Sequence, residues 1–342
     1  MYKTKLFDIL LVNITFKIKH HIKIVKLKKI EKIFHIFNQS QTSSQTLKLT
    51  TLETQIANVQ AQILSAETET HKKNLVRKLK ALEKKQQMAL TTIDSQKTGG
   101  HEECGEYRKS MEDRQCIFVH EGHIYLAVFD GHGGAKVAEL AKKHLHEFIP
   151  TPKSLFDGFR VFDKEHCSDI YSEGSTAVVA FVNKKYVYVA NAGDSEAVIG
   201  IQREDGKIEH KALTVKHNPT RATVDGEAEI KRIDYRGGYC QNGRVWGSSY
   251  QLAVSRSFGD KYFDGHVIPD PHTATLKLEP EHKFIVLASD GLFGDATYEE
   301  VVNIVFRKRQ KGYSPEEIAK RLINFAFYKE SKDNVSVIVH FF

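Results

Sequence analysis

A chain of 342 residues with 41% hydrophobic and 27% charged residues can bury a large core and has room for one sizeable domain plus an extension. Of its 50 Lys and Arg and 43 Asp and Glu, nine Lys and only two acids fall in residues 1–37, which leaves 41 of each sign elsewhere. The net charge of +7 therefore belongs to the first segment, and charge excludes the body as a basic nucleic-acid binder.

Residues 1–49 form a basic segment that ends in a Ser/Thr/Gln linker. Lys alternating with Ile, Leu and Val would suit a helix lying on a membrane surface, but a disordered start is the preferred reading. Leu6 to Phe16 is apolar yet only about half the length that spans a bilayer. No targeting signal is evident, so cytosol or nucleus is the default location. Residues 50–95 are predicted to be a helical extension. Thr50-x-x-Glu53 makes a capping box, and Leu52, Ile56, Val59 and Ile63 share one face. The register breaks near 68–73 and resumes at Leu75, Leu79 and Leu82, which predicts two short helices or a bent one. Self-association as a coiled coil and simple packing on the body both remain open.

From residue 101 to 342 the pattern changes to short β-branched and aromatic runs bounded by Gly, Asp or Asn, as in His123–Phe129, Ser175–Val182, Phe284–Ala288 and Val335–Phe341. Helical patterns come in two batches, Ala135–Phe148 with Ser154–His166, and a second pair announced by Thr297-x-x-Glu300 and Ser314-Pro315-Glu316-Glu317. Strands in runs with helices grouped apart predict an α+β fold of two mainly antiparallel sheets flanked by helices. Four widely spaced cysteines with no C-x-x-C pair offer neither a zinc site nor a disulfide frame.

Acidic residues fall where these strands meet loops: Glu112 and Asp113 before one strand, Asp130 after another, Asp290 after a third and Asp333 before the last. Carboxylates repel, so several gathered at strand ends of one core make sense when a hard cation holds them together. An all-oxygen set favours Mg²⁺ or Mn²⁺ over Zn²⁺. Two such ions would activate a water for attack on phosphorus. Gly131 could add a backbone carbonyl. His132 can titrate near neutrality, and Arg108 offers a planar fork that fits a phosphate.

Arg108–Asp113, Asp130-Gly131-His132-Gly133-Gly134, Gly174-Ser175-Thr176-Ala177, Asn191–Ser195, Leu252–Asp260, Asp290-Gly291-Leu292 and Asp333-Asn334 occur in one order. Together they resemble the metal-dependent (type 2C, PPM) serine/threonine protein phosphatases over residues 101–342. The resemblance implies a four-layer αββα sandwich with a dinuclear Mg²⁺ or Mn²⁺ centre between the sheets, acting on phosphorylated proteins through a metal-bridging hydroxide. It implies that Asp130 bridges both ions, that Asp290 and Asp333 hold one, and that Glu112 and the Gly131 carbonyl serve the other. Asp113 would orient metal-bound water, Arg108 would hold phosphate, His132 would act as general acid, and Asp194 would serve a third ion. Residues 217–250 would form a flap that influences substrate choice.

Three positions depart from the family pattern: Glu196 stands where Arg is usual, Lys216 where Asp is common, and Gly294 where an acid is usual. The rival reading, a catalytically silent relative used as a scaffold, is disfavoured by retention of the whole acid set with Arg108 and His132.

Overall fold

The computed structural model describes residues 54–63, 74–82, 94–120, 123–149, 151–263 and 265–342; the expectations for residues 1–49 lie outside them. The chain divides into two compact units, residues 1–83 and 84–342. In the first, residues 54–63 and 74–82 are helical. Val59, Leu75 and Leu82 are buried together, with Ile56, Ile63 and Leu79 packed around them. The capping box at Thr50 and Glu53 and the break expected near 68–73 lie outside the described residues. No helix among the described residues is long and apolar enough to cross a membrane.

The second unit contains two five-stranded antiparallel sheets. One follows the order β1 (Thr98–Glu103), β16 (Val335–Phe341), β15 (His282–Ala288), β8 (Glu196–Gln202), β9 (Ile208–Ala212). The other follows β14 (His272–Lys277), β7 (Tyr186–Ala192), β6 (Ala177–Val182), β3 (His123–Phe129), β2 (Arg114–His120). The period of two along each strand explains the layers. Leu126 and Val128 of β3 pack with Ile285 and Leu287 of β15 in a core between the sheets. Tyr125, Ala127 and Phe129 face the other way, onto α1 (Lys136–His144) and α2 (Leu155–His166). Phe284, Val286 and Ala288 likewise face α5 (Tyr298–Gln310) and α6 (Pro315–Tyr328). Both faces of the central strands are thus buried, which is why they read as continuous apolar runs. Each fully buried Leu, Ile, Val or Phe contributes roughly 1.5–3 kcal/mol. The result is the αββα sandwich expected from the resemblance.

Local chemistry sets the outer helices. Thr297 Oγ1 accepts from the Glu300 amide while Glu300 Oε2 accepts from the Thr297 amide at 2.9 Å. Ser314 and Glu317 repeat this box ahead of α6, with Pro315 at its first position. Strand β1 opens at Thr98, three residues before the boundary placed at 101, and pairs with β16 along its whole length. Its Thr-Gly-Gly start hides the strand in the sequence. The glycine is used for contact: a Cβ on Gly99 would lie 2.5 Å from the Glu316 amide nitrogen of α6. A smaller lobe holds helix α3 (Val224–Tyr235) and a three-stranded sheet of β10 (Tyr239–Gln241), β11 (Arg244–Trp246) and β12 (Gln251–Leu252). Ile233, Val245, Phe263 and Val267 form its core.

Candidate active site

Sheet register decides what meets at the cleft. Arg114 pairs with Phe129, so the adjacent Asp113 and Asp130 come together where β2 begins and β3 ends. Ala288 pairs with Val337, which brings Asp290, just past β15, beside the residues that precede β16. Asp194 follows the end of β7, whose Ala192 pairs with Ala177 of β6. All these ends open on the same edge of the sandwich.

The outcome is a group of carboxylates: one oxygen each from Asp130, Asp194 and Asp290 lies within 4.8 Å of the others. Asp290 Oδ1 is buried and no donor reaches it. Burial pushes the Asp130 carboxyl well above its usual range, and the neighbouring charges of Asp113, Asp290 and Asp194 push the same way. Burial likewise raises Asp290 to about 7, helped by Asp194 and Asp333. Asp113, only 1% exposed, is also pushed up to about 7 by burial. Four acids forced together at such cost, with an orphaned oxygen among them, fit a hard divalent cation as the missing partner. Asn218 Nδ2 donates to Asp194 Oδ2 at 2.8 Å and leaves the other oxygen for the cluster.

Arg108, Gly131, His132 and Asp333 line the same cleft, whose volume is about 650 Å³. Arg108 forms an ion pair with Asp333. Burial works against its charge, but Asp333, Asp130 and Asp290 outweigh that and hold the guanidinium protonated. Glu112 sits half-buried on the loop before β2, and Ser110 Oγ donates to it at 3.3 Å. The side chains expected to serve the metals are thus split. Asp130 and Asp290 stand in the tight trio, where Asp194, expected at a separate third ion, joins them. Asp333 is engaged by Arg108, and Asp113 lies buried next to Asp130.

His132 has a partner that the sequence motif contained without revealing its use. Its Nε2 lies 2.7 Å from Asp260 Oδ2. Asp260 is 4% exposed, takes a φ of 54°, and accepts from Ser257 Oγ. Burial disfavours imidazolium, but the Asp260 charge outweighs it and raises the His132 pKa. Gly174 makes the pair sterically feasible, because a Cβ there would lie 2.0 Å from Asp260 Oδ2 and 2.3 Å from His132 Nε2. Asp260 is held from below: the Gly259 amide donates to Asp163 Oδ1 at 2.8 Å, and Lys261 is ion-paired to the same carboxylate.

The small lobe is fastened through Glu229 on α3. Burial alone would raise this carboxyl, yet Arg256, Ser255 and Arg232 bring it down to about 2. Arg256 Nε and Arg232 Nη2 donate to Glu229 Oε2 at 3.1 and 2.9 Å. Two of the family departures answer each other: Lys216 Nζ lies 2.9 Å from Glu196 Oε1.

The protein phosphatase 2C family model matches residues 97–335. The chain belongs to the protein phosphatase 2C family. It is 34% identical over 256 residues to "Probable protein phosphatase 2C 30" of Arabidopsis thaliana, covering 68% of this chain and 63% of that protein. It is 36% identical over 247 residues to "Probable protein phosphatase 2C 45" of Oryza sativa subsp. japonica, covering 68% of this chain and 83% of that protein. The fold is shared with the serine-threonine phosphatase 2C from Toxoplasma gondii, at a TM-score of 0.61 and 23% identity over 72% of this chain and 94% of that one. Membership in the protein phosphatase 2C family makes metal dependence the general expectation for a site built of these acids.

Proposed function

We propose that this chain hydrolyses phosphoserine and phosphothreonine in protein substrates, using two Mg²⁺ or Mn²⁺ ions held by Asp130, Asp290, Asp333, Glu112 and the Gly131 carbonyl, with Asp194 available to a third. The observation that carries the reading is the convergence of Asp130, Asp194 and Asp290 within 4.8 Å, next to Arg108 and His132 in one cleft. The ions, when bound, would neutralise the cluster and lower the pKa of water to supply a nucleophile at neutral pH.

The chain's own residues do the rest. Arg108 is a fixed cation at the cleft, suited to a phosphoryl group through its planar fork. Its pairing with Asp333 sets the guanidinium's position before substrate arrives. Asp260 raises the His132 pKa against the effect of burial, which favours the imidazolium form able to give a proton to the departing serine or threonine oxygen. Asp260 keeps Nε2 engaged and thereby fixes the ring's orientation. Buried Asp113 is placed beside Asp130 to accept hydrogen bonds from water at the centre. The scaffold alternative gains nothing from this arrangement, since a binding module has no need of repelling buried carboxylates.

The test is direct. The purified full chain, supplied with Mn²⁺, should release phosphate from a phosphothreonine peptide and stop when a chelator is added. Tight Mn²⁺ binding without turnover would establish the scaffold reading instead.

A further inference from the structure

Three tyrosines stand exposed at the mouth of the cleft although each comes from a different segment. Tyr171 follows α2, Tyr250 precedes β12, and Tyr262 lies in the short 3₁₀ turn Lys261–Phe263. All three line the cleft with the acid cluster. They are 54%, 51% and 46% exposed, so their rings are largely in water. Tyr262 touches both neighbours, with ring centroids 5.6 Å from Tyr171 in an edge contact and 5.0 Å from Tyr250 in a stack.

This cluster is held in place by its backbone. The Tyr262 amide donates to the Tyr171 carbonyl at 3.3 Å, and the Lys261 amide donates to the Ile170 carbonyl at 3.2 Å. Next to Tyr262, Phe263 is buried in the core of the small lobe. Next to Tyr171, Ile170 is buried against the α1 and α2 layer. Tyr262 and Tyr171 therefore each have an inward apolar neighbour as anchor, while the Tyr250 carbonyl accepts from the Gly247 amide at 2.9 Å. A contiguous aromatic surface kept exposed and fixed beside a reaction centre marks a binding surface.

We propose that Tyr171, Tyr250 and Tyr262 form a subsite for the side chain flanking the phosphorylated residue, and that it takes a flat apolar group, an aromatic ring or proline. The inference deepens the phosphatase reading and rests on it. Ring faces reward flat apolar partners by offset stacking and area burial. An acidic neighbour would meet the negative faces of three rings. A cationic one would approach Arg108 and Arg244, which line the same cleft.

The experiment compares phosphothreonine peptides carrying Phe, Pro, Ser or Arg beside the phosphoresidue, with 4-nitrophenyl phosphate as a substrate too small to reach the rings. Wild-type chain should show KM values for the Phe and Pro peptides about tenfold below that for Ser, as one buried ring is worth. Tyr171→Ser, Tyr250→Ser and Tyr262→Ser should remove that preference through KM, with kcat and the aryl phosphate rate unchanged. Tyr→Phe at each position should restore it. A preference for Arg, no preference, or equal losses on peptide and aryl phosphate would overturn the proposal. Fluorescence anisotropy with the matching non-hydrolysable phosphonate peptides reads the same preference without turnover. If the chain binds these with the expected ranking yet hydrolyses none, the catalytic reading fails while the subsite stands; unranked binding removes the subsite.

Discussion

Lys216 and Glu196 are partners: Nζ of one lies 2.9 Å from Oε1 of the other, and Glu196 is only 1% exposed. Taken separately, each residue is a departure from the family pattern, Glu for Arg and Lys for Asp. Side by side they form an ion pair, so each departure balances the charge of the other. Burial pushes the Glu196 carboxyl up, while Lys216 and the Tyr298 hydroxyl act to keep it ionised. Lys216 also donates to the Phe293 carbonyl at 3.2 Å, which ties the pair to the helical turn that begins at Asp290.

Removing one member strands the other. Lys216→Met is expected to lower stability by about 2 kcal/mol, below the range for fully buried pairs because the lysine end is open to water. Glu196→Arg combined with Lys216→Asp should recover most of that loss, whereas either change alone should not. Urea unfolding of the wild type, the two single charge swaps and the double swap measures this as a coupling energy.

Asp290→Asn is expected to abolish phosphatase activity and leave the fold intact. Without metal, the variant should be at least as stable as the wild type at pH 8. The native carboxyl is raised to about 7 by burial and by its acidic neighbours, so its ionised form destabilises the folded state above that pH. Wild-type-like turnover, or a lower melting temperature in chelator, would contradict a ligand role for Asp290.

Acid should weaken metal binding. Protons and cations compete for Asp290 and Asp113, both raised to about 7 by burial. The shift in melting temperature caused by Mn²⁺ should therefore be large at pH 8 and small at pH 5.5. Equal shifts at both values would point to binding elsewhere on the surface.

His132→Ala should cost more with alkyl phosphates than with 4-nitrophenyl phosphate, because a good leaving group needs little protonation. Asp260→Asn should show the same ordering with a smaller loss, since the ring remains but its orienting charge is gone. Steady-state rates against leaving-group pKa measure both slopes. A parallel drop across all leaving groups would assign these residues to binding instead.

His340 provides a stability test remote from the cleft. Its Nδ1 lies 2.7 Å from Thr98 Oγ1 and joins β16 to β1. Burial, aided by Lys97, lowers its pKa to about 3. The unfolded chain takes up a proton near pH 6.5 that the native state refuses, so stability is full above 6.5 and declines as pH falls toward 3. The slope is about 1.4 kcal/mol per pH unit for one such group. His340→Gln should flatten that part of the profile, measured by urea unfolding between pH 7 and 4.5.

How much was legible in the sequence varies by element. The buried strands, the capped helices at Thr297 and Ser314, and the acids at strand ends all carry local signals: alternation, capping chemistry and Asp-Gly turns. Strand β1 was hidden because its glycines are chosen for contact, Gly99 with α6 and Gly100 with Gln115 and Ile338, and contact has no local signature. The three-stranded sheet of β10 to β12 was equally silent, since its strands are short and largely exposed.

The amino-acid order alone determined that carboxylates and one histidine sit at the ends of apolar strands, with one arginine in the loop ahead of them, because side-chain period and turn chemistry are local properties. Only the tertiary structure decided which of them meet. It joined Asp194 to Asp130 and Asp290, set Asp260 against His132 across 128 residues of chain, and matched Lys216 with Glu196. It also gathered three tyrosines from three segments at one rim. Such pairings depend on sheet register and layer packing, which no stretch of sequence encodes by itself.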